Sequence, residues 1–424
     1  SQPNAAVLIG EQLVQTAVGQ SVNQNQPVND CILGTRIIGT ANLSGSVTAN
    51  LMPSMGTAQI QLAFSGTLNS SNNGYNGPVR VRTSGFANVF ASRTLRVSEA
   101  GATWDAVHVE GNLQTKILSF HPKNRFGSRL VKKIARKRAA RQKPQADCIA
   151  NAKLRSRLRQ QFTEQTDQQT NAEVPDFMRD VRPMLKRLAL VEPSRYWSST
   201  EDNLLVDATM RRNDQISTVV SRPAVSGSVA AAVQIHESAV NNAATPILAG
   251  RTVTEGQLDK LLEATGREAP ADDQDSEAGD PEDADDGPPF EISFARLRPI
   301  IFEARDQLIR VGVRGTRFAQ GSRELDRAME ITATYHAATL PDGSVVLIRA
   351  GDVGVDFPGR KRLTVAQAGL KATIQKKFSE VFPETLLDQP LELPDTVQLE
   401  TLRGRVFRPS MVDAKNGWLT IAVK

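Results

Sequence analysis

The side chains that could do chemistry in this sequence include four histidines, which are His108, His121, His236 and His336. None has a second metal-ligating residue three or four positions away on a helix, the spacing that brings two ligands to one ion. The run His236-Glu237-Ser238 joins an imidazole, a carboxylate and a hydroxyl. Adjacent residues do not face one another on a strand or a helix, so we interpret this run as an ordinary helix entry. The sequence predicts neither a metal site nor a catalytic triad here.

Other catalytic patterns are also missing from the sequence. There is no G-x-S-x-G nucleophile elbow between a strand and a helix, and there is no P-loop. Gly34, Gly39 and Gly45 lie in a predicted strand region, where they do not cradle a phosphate. We therefore expect a protein that is not an enzyme and needs no cofactor or metal. An esterase that uses a lipid pocket is retained as a third alternative.

Charge is strongly divided along the chain, although the net charge is only +5. Residues 271–287 carry nine acids and no base, and residues 123–143 carry ten Lys or Arg and no acid. A basic block favours nucleic acid, anionic lipid headgroups or acidic polymers, and the alternative is a solvated helix face. Base stacking requires interleaved aromatics, and Phe126 is the one aromatic in the block, which argues against nucleic acid. The candidate contacts with an anionic surface are Lys132, Lys133, Arg136, Lys137 and Arg141.

Composition bears on the compartment. No run approaches the roughly 18 consecutive apolar residues of a membrane span, so we expect no transmembrane segment. The chain begins at Ser1 rather than Met, and we expect a periplasmic or extracellular protein whose signal peptide has been removed. Cys31 and Cys148 could form one disulfide or none, and they lie too far apart in sequence to resemble a zinc site.

The elements that must position any site divide the chain into predicted domains. Residues 1–122 read as a short helix and an antiparallel β-meander, with the polar stretch Asn23–Asp30 as a separator. Residues 123–190 read as basic helices interrupted at Pro144. One apolar stripe there is Phe126, Leu130 and Ile134, and the next is Ile149, Leu154, Leu158 and Phe162.

The remaining chain is predicted to form one α+β unit from residues 191–266 and 290–424, with a disordered acidic linker at 267–289. Residues 229–235 alternate as a half-buried strand, and residues 237–250 switch to helical periodicity. Residues 331–347 read as a hairpin that turns at Pro341-Asp342-Gly343, and residues 364–382 read as an amphipathic helix.

The stretch Ile235-His-Glu-Ser-Ala-Val-Asn-Asn-Ala-Ala-Thr-Pro-Ile-Leu-Ala-Gly250 resembles the strand-to-helix element of the tubular lipid-binding (TULIP) superfamily, as in bactericidal/permeability-increasing protein. The resemblance covers roughly residues 195–424. It implies an elongated α+β fold in which long, curved antiparallel sheets wrap around amphipathic helices and leave an apolar groove. The residues expected to line that groove are Val233, Ile235, Val240, Ile247, Leu248, Leu258, Leu262, Leu370, Ile374 and Phe378.

Two functions of different classes follow. The first is binding or transfer of a lipid or another apolar small molecule by a secreted or periplasmic protein that contacts anionic membrane through its basic helices. The second is a structural or scaffolding role in a cell envelope or secreted assembly, with closed cores and no ligand. Pro246 departs from the TULIP pattern, because a proline inside the expected helix should kink it. The oligomeric state is not fixed by the sequence.

Overall fold

A computed structural model of the chain describes residues 2–123, 128–171, 181–187, 191–263, 288–359, 364–392 and 405–424. Within these residues the helices are α1 (Glu11–Val18), α2 (Ser128–Asn171), α3 (Val181–Arg187), α4 (Glu237–Leu248), α5 (Glu255–Glu263) and α6 (Val365–Val381). The strands are β1 (Ala5–Gly10), β2 (Gln20–Ile32), β3 (Thr35–Met52), β4 (Ser54–Met55), β5 (Ala58–Asn76), β6 (Val79–Ser98), β7 (Gly101–Trp104), β8 (His108–Gly111), β9 (Gln114–Pro122), β10 (Ser194–Ser199), β11 (Asn203–Thr209), β12 (Ala231–His236), β13 (Thr252–Thr254), β14 (Phe290–Phe294), β15 (Ile300–Arg305), β16 (Leu308–Gln320), β17 (Arg323–Thr339), β18 (Val345–Arg349), β19 (Gly354–Asp356), β20 (Thr385–Leu386), β21 (Leu391–Glu392), β22 (Val406–Phe407), β23 (Pro409–Lys415) and β24 (Trp418–Val423).

The predicted antiparallel meander forms what we call the N-terminal sheet, in the order β2-β3-β5-β6-β7, with β8 and β9 also paired to β6. Turn residues with positive φ join its long strands, at Leu33-Gly34 and at Gly77. Gly77 lies at a turn between alternating segments, as the sequence predicts, whereas the prediction of a strand region at Gly34 was wrong, because this residue forms the turn between β2 and β3. Strict alternation in strands of this length exposes one face and turns the other toward a helix.

The stretch Asn23–Asp30 is not a separator, and this prediction was wrong. It lies within β2, which is an edge strand of the N-terminal sheet. The Asn and Gln residues there alternate between exposed and half-buried positions. Pro27 is tolerated because an edge strand does not need every N–H for its ladder. Polar composition masked a strand whose outer face meets solvent.

Helix α2 runs through Pro144, which the sequence had predicted to interrupt it. Pro144 is exposed, so its ring faces away from the sheet on which the helix packs. A proline removes one backbone hydrogen bond, but packing along the rest of the helix maintains it. The helix ends against the sheet through Leu158 and Phe162, which are both buried in one apolar cluster with Leu43, Leu62 and Phe64.

A second sheet, here the central sheet, has the order β23-β24-β12-β1-β11-β10-β4. One of its faces contributes Trp197 and Val206 to the apolar cluster of the N-terminal sheet. The same face contributes Leu419 and Ile421 to a cluster with the C-terminal sheet defined below. The central sheet therefore joins two separately packed halves. The predicted division at residues 122 and 123 does not follow this arrangement, because β1 pairs with β11 and β12 while α2 packs on the N-terminal sheet.

The C-terminal sheet consists of β13 to β20. Its core packs Phe290, Ile292 and Phe318 against α6 through Leu370, Ile374 and Phe378. The predicted hairpin is confirmed, since Thr339 pairs with Val345 across the turn. The predicted helix at 364–382 is confirmed as α6, which a Thr364–Gln367 capping box starts. The fold class is therefore α+β with antiparallel sheets packed on amphipathic helices, as predicted.

Several predicted features need separate mention. Of the linker predicted at 267–289, residues 267–287 lie outside the described residues, as does Phe126. Helix α4 contains Pro246 two residues before its end. The thiols of Cys31 and Cys148 are free and exposed. None of the described helices combines the length and the apolar character needed to cross a membrane.

Candidate ligand-binding cavity

A cavity of about 530 Å³ lies between the inner face of the N-terminal sheet and helix α2. Alternate residues of β2, β3, β5, β6 and β9 point into it because side chains alternate across a sheet. The large apolar side chains that line it from the strands are Val28, Ile32, Ile37, Leu43, Leu68, Val79, Val81, Ile117 and Phe120. A volume of this size falls within the range of about 300–1,000 Å³ that small-molecule sites occupy.

Small side chains on α2 leave this space open. Ala135, Ala139, Ala146 and Ala150 line the cavity from the helix side. Further along α2 the inward positions become large, with Leu154 also lining the cavity and Phe162 buried beyond it. A methyl group fills far less of the gap between helix and sheet than Leu or Phe does. The cavity therefore extends under the alanine half of α2 and ends at Leu158 and Phe162, whose larger side chains fill the space between helix and sheet.

One side of the cavity is closed by an ionic latch between the edge strand β2 and α2. Asp30 accepts a hydrogen bond from Lys153 Nζ, and Arg157 Nη2 lies 2.6 Å from Asp30 Oδ2. The Asp30 side chain is 13% exposed. Burial alone would raise the pKa of Asp30, but the Lys153 hydrogen bond and the Arg157 charge together hold it below its ordinary value.

The opposite side is closed where α2 meets β9. The Leu113 backbone N–H donates to Asn151 Oδ1 at 2.6 Å, and Asn151 Nδ2 donates to the Leu113 carbonyl at 3.2 Å. Thr115 Oγ1 and Lys143 Nζ both donate to the Asp147 carboxylate. The Asn151 amide thus replaces a strand partner at the break between β8 and β9, and it fixes the distance between the helix and the sheet.

The floor of the cavity carries a short polar track. Asn72 Nδ2 donates to Ser70 Oγ at 3.2 Å, while Asn72 Oδ1 is buried and has no hydrogen-bond partner among the described residues. A side chain at Gly39 would collide with this oxygen, so the glycine makes room for it. At the rim, exposed Arg138 lines the cavity and makes no ion pair with any described carboxylate. The described lining of this largely apolar space thus includes a buried acceptor without a partner, Asn72 Oδ1, and a cation without an ion pair, Arg138.

The five predicted surface cations all lie on α2. Lys132, Lys133, Arg136, Lys137 and Arg141 are exposed. No described carboxylate forms a salt bridge with any of them. Leu130 is 65% exposed and Ile134 is 59% exposed on the same part of the helix. The predicted stripe Leu130–Ile134 is therefore not the packed one. The inward stripe is shifted by one residue to Val131 and Ala135, so Leu130 stands beside the cations, and Ile134 stands beside them at the rim of the cavity, which it also lines.

Of the ten apolar residues predicted to line a groove, the nine with described side chains do not line the 530 Å³ cavity. Five of them pack inside the core of the C-terminal half, namely Leu248, Leu258, Leu370, Ile374 and Phe378. Ile247 packs against that core, and Ile235 packs against the cluster that joins the central and C-terminal sheets. Val240 is half-buried in α4, and Val233 is 52% exposed on the central sheet. Leu262 lies in α5, and its side chain is outside the described part.

His236 caps helix α4, as the interpretation of a helix entry requires. Its Nδ1 accepts from the Ser238 backbone N–H at 3.1 Å, and its Nε2 lies 3.2 Å from Thr218 Oγ1. The ring also meets the edge of Trp418. Burial lowers the pKa of His236, since the half-buried imidazole is easier to keep neutral than charged. Across the described ranges no group of three or more His, Cys, Asp or Glu could hold a metal ion.

Sequence reasoning missed the cavity because it searched for large apolar residues. The signal that could have found it is the alanine series of α2 at the spacing of a helix face, opposite a sheet whose inner positions are apolar. Neither a protein-family model nor a curated protein matches this sequence. Among solved structures, the crystal structure of a lipopolysaccharide binding protein aligns with 100% of this chain and 99% of its own, at 13% identity and a TM-score of 0.27. An alignment this weak does not decide the ligand.

Proposed function

We propose that this protein is a non-enzymatic binder of a lipid acyl chain or a comparable apolar ligand, held in the cavity between the N-terminal sheet and α2. The observation that carries the proposal is a 530 Å³ apolar space between two well-packed elements. The space is partly open to solvent, so its apolar lining meets water, and an apolar ligand that covers this lining gains free energy by displacing that water. The two sheets packed on helices, joined by a third, support placing the chain with the tubular lipid-binding proteins.

The energetics favour a chain-shaped ligand. Each methylene transferred from water into such a space gains about 0.8 kcal/mol, without any directional contact. The free oxygen of Asn72 and the exposed guanidinium of Arg138 supply one acceptor and one cation for a polar head group. A ligand with an apolar tail and an anionic or hydroxylated head matches this distribution.

The exposed face of α2 supports a role at anionic membrane. Leu130 and Ile134 stand beside Lys133, Lys137 and Arg141, so one helix surface offers both apolar contact and positive charge. Amphipathic helices with this composition bind the interface of anionic bilayers. We include in the proposal that the helix brings the cavity to such a surface, outside the cytoplasm. Fractionation of the source cells with an antibody against the chain tests that location.

The first experiment is native mass spectrometry with organic extraction of protein purified without detergent. The proposal expects a near-stoichiometric lipid or fatty acid. A clean apo mass, with no uptake from added phospholipid vesicles, would contradict it and favour a scaffolding role.

Matched variants connect uptake to the cavity. Ala139→Trp places an indole inside it, whereas Ala140→Trp adds the same group to the exposed side of the same helix turn. We expect Ala139→Trp to reduce uptake of a fluorescent fatty acid at least tenfold and Ala140→Trp to leave it unchanged. Circular dichroism and thermal melts confirm that both fold. Equal uptake by the two variants would place the ligand elsewhere.

Membrane contact is tested separately by vesicle co-sedimentation. Lys137→Glu is expected to weaken binding to phosphatidylglycerol vesicles several-fold, because each basic residue near an anionic surface contributes about 1 kcal/mol. The control is Arg159→Glu, which makes the same change at an exposed position further along α2. Binding that is insensitive to salt, or equal loss in both variants, would rule out a specific basic face.

A further inference from the structure

The outer face of the N-terminal sheet, opposite the cavity, carries a row of side chains in direct cross-strand register. Asn25 pairs with Asn42, Asn42 with Asn69, Asn69 with Phe86, and Phe86 with Gln114. Strands lie about 4.8 Å apart, so these five positions span about 19 Å across the sheet. We call this set the amide row. Three amides, one aromatic ring and a fourth amide thus stand in one line.

A depression of about 520 Å³ lies over the amide row, and of the residues that line it Ser70 also lines the apolar cavity. Its lining is polar apart from Phe86 and Gly85, and it consists of Asn25, Thr40, Asn42, Asn69, Ser70, Ser71, Ser84, Gln114 and Lys116 with those two residues. Phe86 is 45% exposed there, although nothing in the sheet prevents a polar residue at this outward position.

The polar groups of the row have unused hydrogen-bonding capacity. Asn42 Nδ2 donates to Asn23 Oδ1 at 2.9 Å, in the next row. The side chains of Asn25, Asn69 and Gln114 form no hydrogen bond with any described residue of the protein. Each amide presents both a donor and an acceptor at a fixed spacing. Hydroxyl groups, which also donate and accept, are the natural complement of such an array.

Positive charge increases along the same face toward the turns at Gly34 and Gly77. The row after the amide row ends in Lys116, the next contains Arg82, and the last contains Arg36 and Arg80. From the amide row to these turns, the outward positions in register include no Asp or Glu. The four cations form no salt bridge with a described carboxylate. A ligand that follows the face therefore meets amides first and cations next.

We propose that the outer face of the N-terminal sheet binds an acidic oligosaccharide. Sugar hydroxyls bond to Asn25, Asn69 and Gln114, and the C–H face of one sugar ring packs on Phe86. Carboxylate or sulfate groups further along the glycan reach Lys116 and Arg82. This site lies on the opposite face from the lipid cavity and does not depend on it.

A glycan fits this surface better than single-stranded nucleic acid does. Nucleic acid binding relies on several aromatic rings in succession beneath the bases and on cations along the whole track. Along the face from the amide row to the turns, the exposed rings of Phe86 and Tyr75 stand three rows apart rather than in succession, and the cations begin only one row beyond the amides, at Lys116. The abundance of neutral donor–acceptor groups is the property that hydroxyl-rich ligands require.

The test is fluorescence polarisation of labelled oligogalacturonate with the full chain, against neutral dextran oligomers and oligo(dT) of similar length. We expect oligogalacturonate to bind, and dextran oligomers to bind at least tenfold more weakly. Phe86→Ala and Asn69→Ala should each weaken oligogalacturonate binding at least tenfold. Asn88→Ala, an exposed Asn on the same face outside the depression, should not change it.

Three results would overturn the proposal. One is no binding of oligogalacturonate by the folded wild-type chain. Another is equal affinity in Phe86→Ala, Asn69→Ala and Asn88→Ala. The third is tighter binding of oligo(dT) that is lost in the same variants. Because Phe86 and Asn69 point away from the apolar cavity, uptake of fluorescent fatty acid should stay unchanged in all three variants, and the two sites are thereby tested independently.

Discussion

The latch at Asp30 gives the sharpest test of how the cavity is held closed. Asp30 belongs to the edge strand β2, and both of its cationic partners, Lys153 and Arg157, belong to α2. Replacing Asp30 with Asn keeps the size of the side chain but removes its charge. The edge strand then loses its ionic attachment to the helix, while the sheet ladder between β2 and β3 is left intact.

The expected loss of stability is modest. Asp30 itself is 13% exposed, but Lys153 is 39% exposed and Arg157 is 54% exposed, so water screens both pairs. Exposed ion pairs contribute about 0.2–1 kcal/mol each. Charge-assisted hydrogen bonds to a mostly buried carboxylate lie toward the upper end of that range. Two such contacts predict a decrease of about 1–2 kcal/mol in the free energy of unfolding.

The pH dependence has a definite sign. The pKa of Asp30 is below its ordinary value of 3.8 in the folded protein, so its latch contributes fully above that value. The contribution disappears as the pH falls through the lower, folded pKa. The difference in stability between wild type and Asp30→Asn should therefore be constant from about pH 5 to 7 and should shrink below about pH 4.

Urea denaturation at several pH values measures this difference, with Asp352→Asn as the control at an exposed acid that has no described partner. A double-mutant cycle with Lys153→Met isolates the pairwise term. Weakening the attachment between β2 and α2 should also accelerate exchange of a fluorescent fatty acid. If Asp30→Asn has the stability of Asp352→Asn and an unchanged exchange rate, the latch has no role in closing the cavity.

Three further predictions concern the supports of the two halves. Asn151→Ala leaves the Leu113 N–H and carbonyl without partners and should cost about 1–3 kcal/mol in urea denaturation, whereas a cost below 0.5 kcal/mol would show that water replaces the amide. Ile374→Trp overpacks a fully buried core position, so it should lower the free energy of unfolding by about 1–3 kcal/mol without blocking lipid uptake. Loss of uptake in a stable variant would instead support the groove predicted in the C-terminal half. The pKa of His236 is lowered in the folded protein, so its helix cap stabilises the fold above about pH 6.5 and weakens as the pH falls. When the pH is lowered from 7.5 to 5.5, His236→Asn should therefore lose less stability than wild type. Equal loss in the two proteins would contradict the role of neutral His236 as the helix cap.

The elements with strong periodicity were predictable from the sequence. The hairpin at Thr339–Val345, helix α6 and the strand–helix junction at His236 all combine a clear apolar period with local turn or capping residues. Helix α2 and strand β2 were predicted wrongly at one point each, at Pro144 and at the Asn-rich stretch. In both cases tertiary packing overrides a local signal, since a long partner surface stabilises what the isolated segment would not form.

The two proposed binding surfaces could not be predicted from the sequence, for different reasons. The amide row consists of residues that are far apart in the chain, and it exists only because five strands are in register. A shift of one residue in any strand would turn that position toward the opposite face. Asn25, Asn69 and Gln114 are therefore ordinary polar residues until the pairing of β2, β5 and β9 is known.

The cavity is hidden by a different effect, because it is defined by what its helix lacks. A search for apolar stripes selects Leu, Ile and Phe, and such residues fill space; Leu370, Ile374 and Phe378 on α6 do so in the C-terminal half. Alanines at Ala139 and Ala146 give a weak hydrophobic signal and yet decide where the helix leaves a gap. Large residues on an amphipathic face thus predict a closed core, and small residues opposite an apolar sheet predict an open one. By that criterion the N-terminal half, rather than the half that carries the TULIP-like strand–helix motif, is the half in which we propose that the apolar ligand binds.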